Sequence, residues 1–295
     1  MKTPVFTGSA TAMVTPYTDK GIDYDSLAQL LERQTVGGTA AVLMCATTGE
    51  AATLKETERQ EILRFTLRQV KGRMKVLCGI GSNNTDAAAA MAHTAESLGA
   101  DAVLLTTPYY NKGTPEGLYR HFCCVADQCS LPLIVYNVPG RTSVACTPEL
   151  YERLAEHPRI NGVKEASGNI SLVSQTRRRC GEDLNIWSGN DDQTLPMLAL
   201  GAKGVISVAS NLIPRQMRDL CGAALAGDYL SARSIHETYA ILFEQLFCEV
   251  NPIPVKTALH AMGLCPDGFR LPLCSMGADN KAALLQTLRQ LELLS

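Results

Sequence analysis

Aromatic residues are scarce in this sequence: they make up 5% of its 295 residues, and Trp187 is its single tryptophan. The sequence therefore lacks the side chains from which base-stacking platforms and large aromatic binding surfaces are built. Neither sign of charge dominates, because 27 Lys and Arg residues stand against 29 Asp and Glu, a net charge of −2. Without a global basic field, we expect neither nucleic acid nor a membrane as a partner. These absences favour a small ligand held in a local pocket.

Metal-binding and secretion signals are also missing. The sequence contains no Cys-x-x-Cys pair, and its five histidines share no His-x-x-x-His spacing, so we expect no metal ion and no cofactor. Its eleven cysteines lie in apolar contexts, such as those of Cys78 and Cys123, and we interpret them as reduced core thiols. No apolar run of signal-peptide or membrane-spanning length occurs, so we expect a cytoplasmic protein.

What is present is an alternation of short β-rich runs with longer helical patterns. Several of the short runs, including Ala102–Thr106, are continuously apolar, which is typical of parallel strands covered on both faces. The predicted strands are Ser9–Thr15, Ala40–Cys45, Lys75–Ile80, Ala102–Thr106, Leu133–Tyr136, Gly162–Lys164, Asn185–Ser188 and Gly204–Val208. The predicted helices that follow them are Tyr24–Val36, Lys55–Val70, Thr85–Leu98, Pro115–Gln128, Pro148–Glu156, Ile170–Cys180, Asp192–Leu200 and Pro214–Ala226.

Eight strand–helix units predict an α/β fold, a closed (β/α)8 TIM barrel, over residues 1–226. A C-terminal helical region, residues 227–295, follows with a three-helix appendix predicted at Asp228–Glu249, Pro254–Met262 and Ala278–Leu294. The alternative is an open doubly wound sheet. That fold is disfavoured because no Gly-x-Gly-x-x-Gly motif follows the first predicted strand.

In a barrel of this kind the active site lies at the carboxyl ends of the strands, where Lys164 ends an apolar run. One interpretation of Lys164 is structural: an ion pair with Glu165, or a side chain that reaches the outer surface. The other is an amine whose pKa burial lowers, so that it attacks a carbonyl and forms a Schiff base. Hydroxyl groups of Tyr136, Thr47 and a further tyrosine would then move protons.

Three other strand ends carry polar residues with two interpretations each. The amides of Thr47 and Thr48 could face a carboxylate, or the segment could cap the next helix. Arg141, in a Pro-Gly loop, is either a substrate ligand or a surface salt-bridge partner. Tyr109 and Tyr110 are adjacent and cannot both point into one barrel mouth, so we expect one of them to project from the rim.

Short motifs are spread along nearly the whole sequence: Phe6-Thr7-Gly8-Ser9, Val14-Thr15-Pro16, Thr47-Thr48-Gly49-Glu50, Thr107-Pro108-Tyr109-Tyr110-Asn111, Tyr136-Asn137-Val138-Pro139-Gly140-Arg141-Thr142, Val163-Lys164-Glu165-Ala166-Ser167-Gly168-Asn169, Ser188-Gly189-Asn190-Asp191, Gly204-Val205-Ile206-Ser207-Val208 and Asn251-Pro252-Ile253-Pro254-Val255-Lys256. Together they resemble the dihydrodipicolinate synthases, also called 4-hydroxy-tetrahydrodipicolinate synthases. These enzymes are pyruvate-dependent class I aldolases that form a Schiff base, a superfamily that includes N-acetylneuraminate lyase.

The resemblance implies a catalytic set: Lys164 as the Schiff-base lysine, and Tyr136, Thr47 and Tyr110 as a proton relay. It also implies that Tyr110 reaches the site of a neighbouring subunit, within a homotetramer built as a dimer of dimers. For pyruvate, it implies binding of the carboxylate by the backbone of Thr47 and Thr48. The Ile206 carbonyl and Gly189 would lie nearby.

Arg141-Thr142 resembles the synthases, in which this arginine binds the carboxylate of L-aspartate 4-semialdehyde, whereas sialate lyases lack the pair. The resemblance therefore implies condensation of pyruvate with that aldehyde, in the diaminopimelate and lysine biosynthesis pathway. Two alternatives stay open. One is a retro-aldol lyase of a 2-keto-3-deoxy sugar acid or sialic acid, and the other is an inactive barrel that serves as a binding or sensor protein.

A regulatory site is the least determined feature of the sequence. Asn83 and Tyr109 match two positions at which some members of the family bind lysine as an inhibitor. Ala51 replaces a serine of those members, and Glu56 and Arg59 replace histidines. The sequence therefore leaves inhibition by lysine open.

Overall fold

The structure, a computed structural model, describes residues 1–294. In that part of the chain, eight parallel strands form a closed barrel in which each strand pairs with the next, and the first pairs with the last. The predicted (β/α)8 barrel is confirmed. The barrel strands are Gly8–Ala12 (β1), Ala41–Met44 (β2), Lys75–Gly79 (β3), Ala102–Thr106 (β4), Leu133–Asn137 (β5), Ile160–Glu165 (β6), Asn185–Ser188 (β7) and Gly204–Ser207 (β8).

The helices surround the barrel, and polar caps fix several of their ends. Asp23 and Asn84 accept backbone hydrogen bonds from the first turns of the helices that follow them, and Gly38 and Gly99 end these helices with φ of 77° and 92°. Among the described residues, no helix combines the length and apolar character needed to cross a membrane. The helices are Tyr24–Gly37 (α1), Glu56–Val70 (α2), Thr85–Leu98 (α3), Pro115–Asp127 (α4), Pro139–Thr142 (α5), Pro148–Ala155 (α6), Ile170–Cys180 (α7), Thr194–Ala199 (α8), Pro214–Leu225 (α9), Tyr229–Gln245 (α10), Ile253–Ala261 (α11) and Ala278–Gln290 (α12).

The first strand is shorter than the predicted Ser9–Thr15. Its pairing ends at Ala12 because the Asn211 side chain takes over the next backbone groups. The Asn211 amide donates to the Ala12 carbonyl at 2.8 Å and accepts from the Val14 amide at 3.3 Å. A side chain from the turn after β8, the strand that neighbours β1, therefore ends the strand.

Other boundaries also differ from the prediction. The predicted helix Asp192–Leu200 is shorter, because Asp191–Gln193 forms a separate 3-10 turn before α8. The helix predicted to end at Glu249 is α10, which ends at Gln245. The short helix α5 and a two-stranded hairpin of Tyr17–Thr18 and Gly21–Ile22 were not predicted.

The inner face of the barrel holds the large side chain of Trp187 among aliphatic side chains and other aromatic rings. Trp187, on β7, stacks on Phe6 at 5.1 Å between ring centroids and donates to the Phe6 carbonyl at 3.2 Å. A Cβ at Gly162 would lie 2.7 Å from the Trp187 ring, so the glycine makes room for the indole. Trp187 is paired in register with Lys164 on β6, but its ring fills the interior beside Gly162, which lies two residues before the lysine on the same face.

The C-terminal helices pack on the barrel and on one another. Helix α10 packs against α9, and α12 packs against α10 and α11. The three predicted helices are therefore present, although α11 is shifted by one residue at each end and α12 ends at Gln290 instead of Leu294. The division of the chain at residues 226 and 227 stays a prediction, and its second range extends beyond the described residues to 295.

The cysteines are free thiols in the described part of the chain. Seven of the eleven are buried and two are half-buried. Cys248 and Cys274 are exposed, so the interpretation as core thiols is wrong for these two. Both lie outside the barrel strands, in segments near the C-terminal helices.

Candidate active site

A cavity of about 570 Å³ opens at the carboxyl ends of the barrel strands. It brings together side chains from five different strand ends, which local sequence alone does not place near each other. Six of the eight residues predicted for catalysis and substrate binding line it: Thr47, Thr48, Tyr136, Arg141, Lys164 and Gly189.

Lys164 lies on β6 with its side chain in the barrel and is 4% exposed. Its neighbour Glu165 faces the helix layer instead, because successive strand residues point to opposite faces. There the Glu165 carboxylate accepts hydrogen bonds from the Tyr151 hydroxyl at 2.7 Å and the Asn137 amide at 3.0 Å. It also accepts from the Ser167 backbone amide at 2.8 Å. The interpretation of Lys164 as an ion-pair partner of Glu165 is therefore wrong.

The Lys164 amine is easier to deprotonate than an ordinary lysine. Burial lowers its pKa to about 8 by penalising the charged form, and the positive charge of Arg141 contributes in the same direction. The negative charge of Asp191 opposes both effects. Near neutral pH, part of the population therefore carries an uncharged amine, which is the nucleophilic form.

Tyr136 lies beside Lys164 on β5, and the two residues are paired in register. The Lys164 Nζ atom is 4.4 Å from the centroid of the Tyr136 ring. Burial raises the pKa of the Tyr136 hydroxyl, although Arg141 and a polar contact with Thr47 lower it. The hydroxyl is thus protonated at neutral pH and can donate a proton to a reacting group.

Gly189 and Asp191 shape the other side of the lysine. A Cβ at Gly189 would lie 3.1 Å from Lys164 Cε and 2.7 Å from Ala166 Cβ, so a side chain there would crowd the amine. Asp191 is 1% exposed and accepts from the backbone amides of Val208 and Ala209 at 3.1 and 2.9 Å. The sequence analysis quoted Asp191 in a motif but assigned it no role. The sequence feature that could have identified Asp191 is an acidic residue in the turn after β7, two positions after Gly189.

The segment with Thr47 and Thr48 follows β2 in a bent conformation. Its flanking residues Cys45 and Glu50 have φ of 53° and 55°, in the left-handed region. Helix α2 begins only at Glu56, and the Glu58 carboxylate accepts from the Lys55 amide at its first turn. The interpretation of Thr47 and Thr48 as a helix cap is therefore wrong.

Arg141 lies in α5 at the mouth of the cavity. Its guanidinium donates to the carbonyl of Asn251 at 3.0 Å. Within residues 1–294 it forms no salt bridge, contrary to the surface ion-pair interpretation. Asn251 also donates from its side chain to the Thr48 hydroxyl at 3.0 Å. Sequence analysis missed this residue as a contributor to the site.

Two of the eight residues predicted for catalysis and substrate binding, Ile206 and Tyr110, do not line the Lys164 cavity in the single chain. Ile206 is fully buried on β8, with its side chain in the barrel interior. Tyr110 is 91% exposed, with φ of 69°, and projects from the rim as expected for one of the two tyrosines. The roles of both residues stay predictions.

A second cavity, of about 480 Å³, adjoins the first and shares Thr47, Val138, Arg141 and Asn251 with it. Tyr109 and Arg59 lie in its wall, and Asn83 donates to the Tyr109 carbonyl at 3.2 Å. Asn83 and Tyr109 are thus neighbours. Whether they form a regulatory site stays a prediction.

Known proteins share this fold, and many share the name of one enzyme. Residues 5–291 match the family model described as the dihydrodipicolinate synthetase family. A 4-hydroxy-tetrahydrodipicolinate synthase of Thermodesulfovibrio yellowstonii is 48% identical over 285 residues, which cover 97% of this chain and 98% of the relative.

Solved structures agree with the sequence relatives. The dihydrodipicolinate synthase of Aquifex aeolicus has a TM-score of 0.95 and 43% identity, over 98% of this chain and 99% of that one. The enzyme of Acinetobacter baumannii, solved in complex with pyruvate, has a TM-score of 0.96 and 40% identity, over 98% of this chain and all of that one. Since the matches in sequence and in structure extend over nearly the full length, the chain belongs to the dihydrodipicolinate synthetase family.

Proposed function

We propose that the protein is a 4-hydroxy-tetrahydrodipicolinate synthase, a lyase that condenses pyruvate with L-aspartate 4-semialdehyde in lysine biosynthesis. The observation that carries this function is the buried Lys164 amine, which has a lowered pKa and lies 4.4 Å from the Tyr136 ring. Membership of the family supports the reaction class. The pyruvate complex of the Acinetobacter baumannii enzyme supports pyruvate as the first substrate.

In the proposed reaction, the uncharged Lys164 amine attacks the ketone carbon of pyruvate, and loss of one water gives an imine. Removal of a methyl proton gives an enamine, whose carbon attacks the aldehyde carbon of the second substrate. The amino group of that substrate then displaces the lysine, which closes the ring and regenerates the free amine. Tyr136 and Thr47, with Tyr110 from a neighbouring subunit, move the protons.

The carboxylates of the two substrates need separate partners. We assign the pyruvate carboxylate to the backbone of Thr47 and Thr48, with the Ile206 carbonyl and Gly189 beside it. We assign the carboxylate of the semialdehyde to the Arg141 guanidinium at the cavity mouth, whose planar geometry suits bidentate binding. An assay with aspartate semialdehyde against 2-keto-3-deoxy sugar acids and sialic acid distinguishes this function from that of a lyase.

Reduction with borohydride in the presence of pyruvate tests the imine. We expect the reduced adduct on the peptide that contains Lys164, and no adduct in Lys164→Ala. Lys256 is a built-in control because it is also buried but forms an ion pair with Glu50. An adduct on the Lys256 peptide, or persistence of trapping in Lys164→Ala, would show that the assignment is wrong.

A further inference from the structure

We propose that Asn251 is a positioning residue that orients the Thr48 hydroxyl toward the pyruvate carboxylate. The proposal rests on the function proposed above, because it assumes that pyruvate binds beside Thr48. Asn251 lies in the C-terminal helical region, more than 200 residues from Thr48 in the chain, yet it lines the same cavity.

The contact between the two side chains is buried. Asn251 is 5% exposed and Thr48 is 2% exposed, and the Asn251 amide donates to Thr48 Oγ1 at 3.0 Å. A hydroxyl group that accepts one hydrogen bond keeps its own hydrogen free to donate in another direction. In the described residues the Thr48 hydroxyl donates to no protein acceptor. Its hydrogen is therefore available to an oxygen atom in the cavity.

A second contact keeps the same two segments together. The Lys256 ammonium and the Glu50 carboxylate form an ion pair in which both side chains are fully buried. Each lies a few residues beyond the Asn251–Thr48 contact, and the Arg270 amide also donates to Glu50 at 3.2 Å. The segment from Asn251 to Lys256 is thus fixed against the loop after β2 at two points, which restricts the direction of the hydrogen bond.

The main chain of Asn251 has a separate function. Its carbonyl accepts from Arg141, which we assign to the second substrate. Substitution of the Asn251 side chain leaves this carbonyl in place. The proposal therefore predicts that side-chain variants weaken the use of pyruvate and leave the use of L-aspartate 4-semialdehyde close to that of the wild type.

The test is a double-mutant cycle on the KM for pyruvate, with active sites counted by borohydride trapping. We expect Asn251→Ala and Thr48→Val each to raise this KM about tenfold, the effect of one hydrogen bond. If the two residues act as a unit, the double variant is no worse than the poorer single variant. A product of the two effects, about 100-fold, would mean that the residues act independently and would overturn the proposal.

Asn251→Asp separates orientation from packing, because it preserves the shape of the side chain. A carboxylate at position 251 accepts the Thr48 hydrogen instead of donating to Thr48 Oγ1, so the hydroxyl is turned away from pyruvate. We expect a larger rise in the KM for pyruvate than in Asn251→Ala. An unchanged KM in the Asp variant, or an equal rise in the KM for the semialdehyde, would contradict the proposal.

The matched control is Asn280→Ala. The Asn280 amide also donates to one side chain, Glu249, at 2.8 Å, but on the exposed surface. We expect wild-type constants for this variant. If wild-type protein fails to trap pyruvate, the proposed function is wrong; if it traps pyruvate and condenses it, but the cycle is additive, only the positioning function of Asn251 is wrong.

Discussion

Lys164 is the residue whose chemistry depends most on its place in the barrel. On the opposite face of β6 it would meet the Glu165 network and keep its charge. Inside the barrel, burial is the largest cause of its lowered pKa, and Asp191 supplies a nearby negative charge. A charged imine formed on Lys164 would lie in the same field, so Asp191 would stabilise it after the amine has reacted.

The rate of imine formation should therefore depend on pH around the pKa of Lys164. Below about pH 8 most of the amine is protonated and only the uncharged fraction attacks, so the rate rises with pH and its midpoint lies near 8. An ordinary lysine would place the midpoint above 10. The measurement is the initial rate of borohydride trapping with pyruvate across the pH range, and a midpoint near 10 would contradict the lowered pKa.

We expect variants of Tyr136 and Arg141 to differ in their kinetics, because the two residues line one cavity but are proposed to act on different groups. We expect Tyr136→Phe to lower kcat by about 10²–10⁴, the usual range for loss of a general acid–base group. Arg141→Ala should mainly raise the KM for L-aspartate 4-semialdehyde and largely preserve imine trapping with pyruvate, because burial is the main cause of the lowered Lys164 pKa. Steady-state kinetics with both substrates varied measure the difference. An equal loss of trapping in both variants would refute the division of roles.

At the scale of elements, α11 is joined to the loop after β2 by the ion pair of Lys256 and Glu50. Burial lowers the pKa of Lys256, and its Nζ lies 4.5 Å from the centroid of the Tyr17 ring. Lys256→Met leaves the Glu50 carboxylate buried without its cation. We expect the free energy of unfolding to fall by about 3–5 kcal/mol, the usual cost of breaking a buried pair from one side.

Denaturant unfolding of three variants checks this expectation. The double variant Glu50→Gln with Lys256→Met removes both charges, so we expect it to be more stable than Lys256→Met alone. The exposed pair of Arg233 and Glu237 provides the matched comparison, and Arg233→Met should change stability by less than about 1 kcal/mol. Equal stability of Lys256→Met and the wild type would show that the buried pair does not stabilise the fold.

Sequence analysis predicted the elements that carry strong local patterns. The alternation of short β-rich runs with helical patterns identified all eight barrel strands, and a lysine at the end of an apolar run identified Lys164. The four-residue helix α5 has too few residues for any periodicity. Asn251 was missed because its contact with Thr48 joins positions 203 residues apart, a distance over which local patterns carry no information. Arg141 was predicted through family resemblance, since its loop alone fits a surface residue equally well.

At the scale of the whole molecule, the position of Tyr110 favours the prediction that a second chain completes the site. It is a large aromatic residue held at φ of 69°, a conformation that costs about 1–3 kcal/mol, and 91% of it faces solvent. A subunit contact would explain both features. We expect an active form of at least a dimer, in which each chain gives and receives this residue, within the tetramer that the family resemblance implies.

Mixing two inactive variants tests this arrangement. Each site would combine Lys164 of one chain with Tyr110 of the other. After dissociation and reassociation, a mixed dimer of a Lys164→Ala chain and a Tyr110→Phe chain therefore has one site with both substitutions and one site with neither. We expect activity to return to about a quarter of the wild-type level in an equimolar mixture, since half of the dimers are mixed. Mass spectrometry verifies that mixed dimers form. An inactive mixture that contains them would show that Tyr110 does not act across the interface.

Phe6 and Trp187 occupy the barrel on the side of Lys164 away from the cavity. The cavity is therefore closed below Lys164, and molecules enter and leave it through its mouth at the carboxyl ends of the strands. In the proposed reaction, pyruvate would bind at this closed end before the aldehyde binds above it, and the water from imine formation would leave before the aldehyde enters. The cyclic product would leave only after its bond to Lys164 has broken. By closing the base of the barrel, the stacked pair of Phe6 and Trp187 would thus impose an order on substrate binding and product release in the proposed reaction.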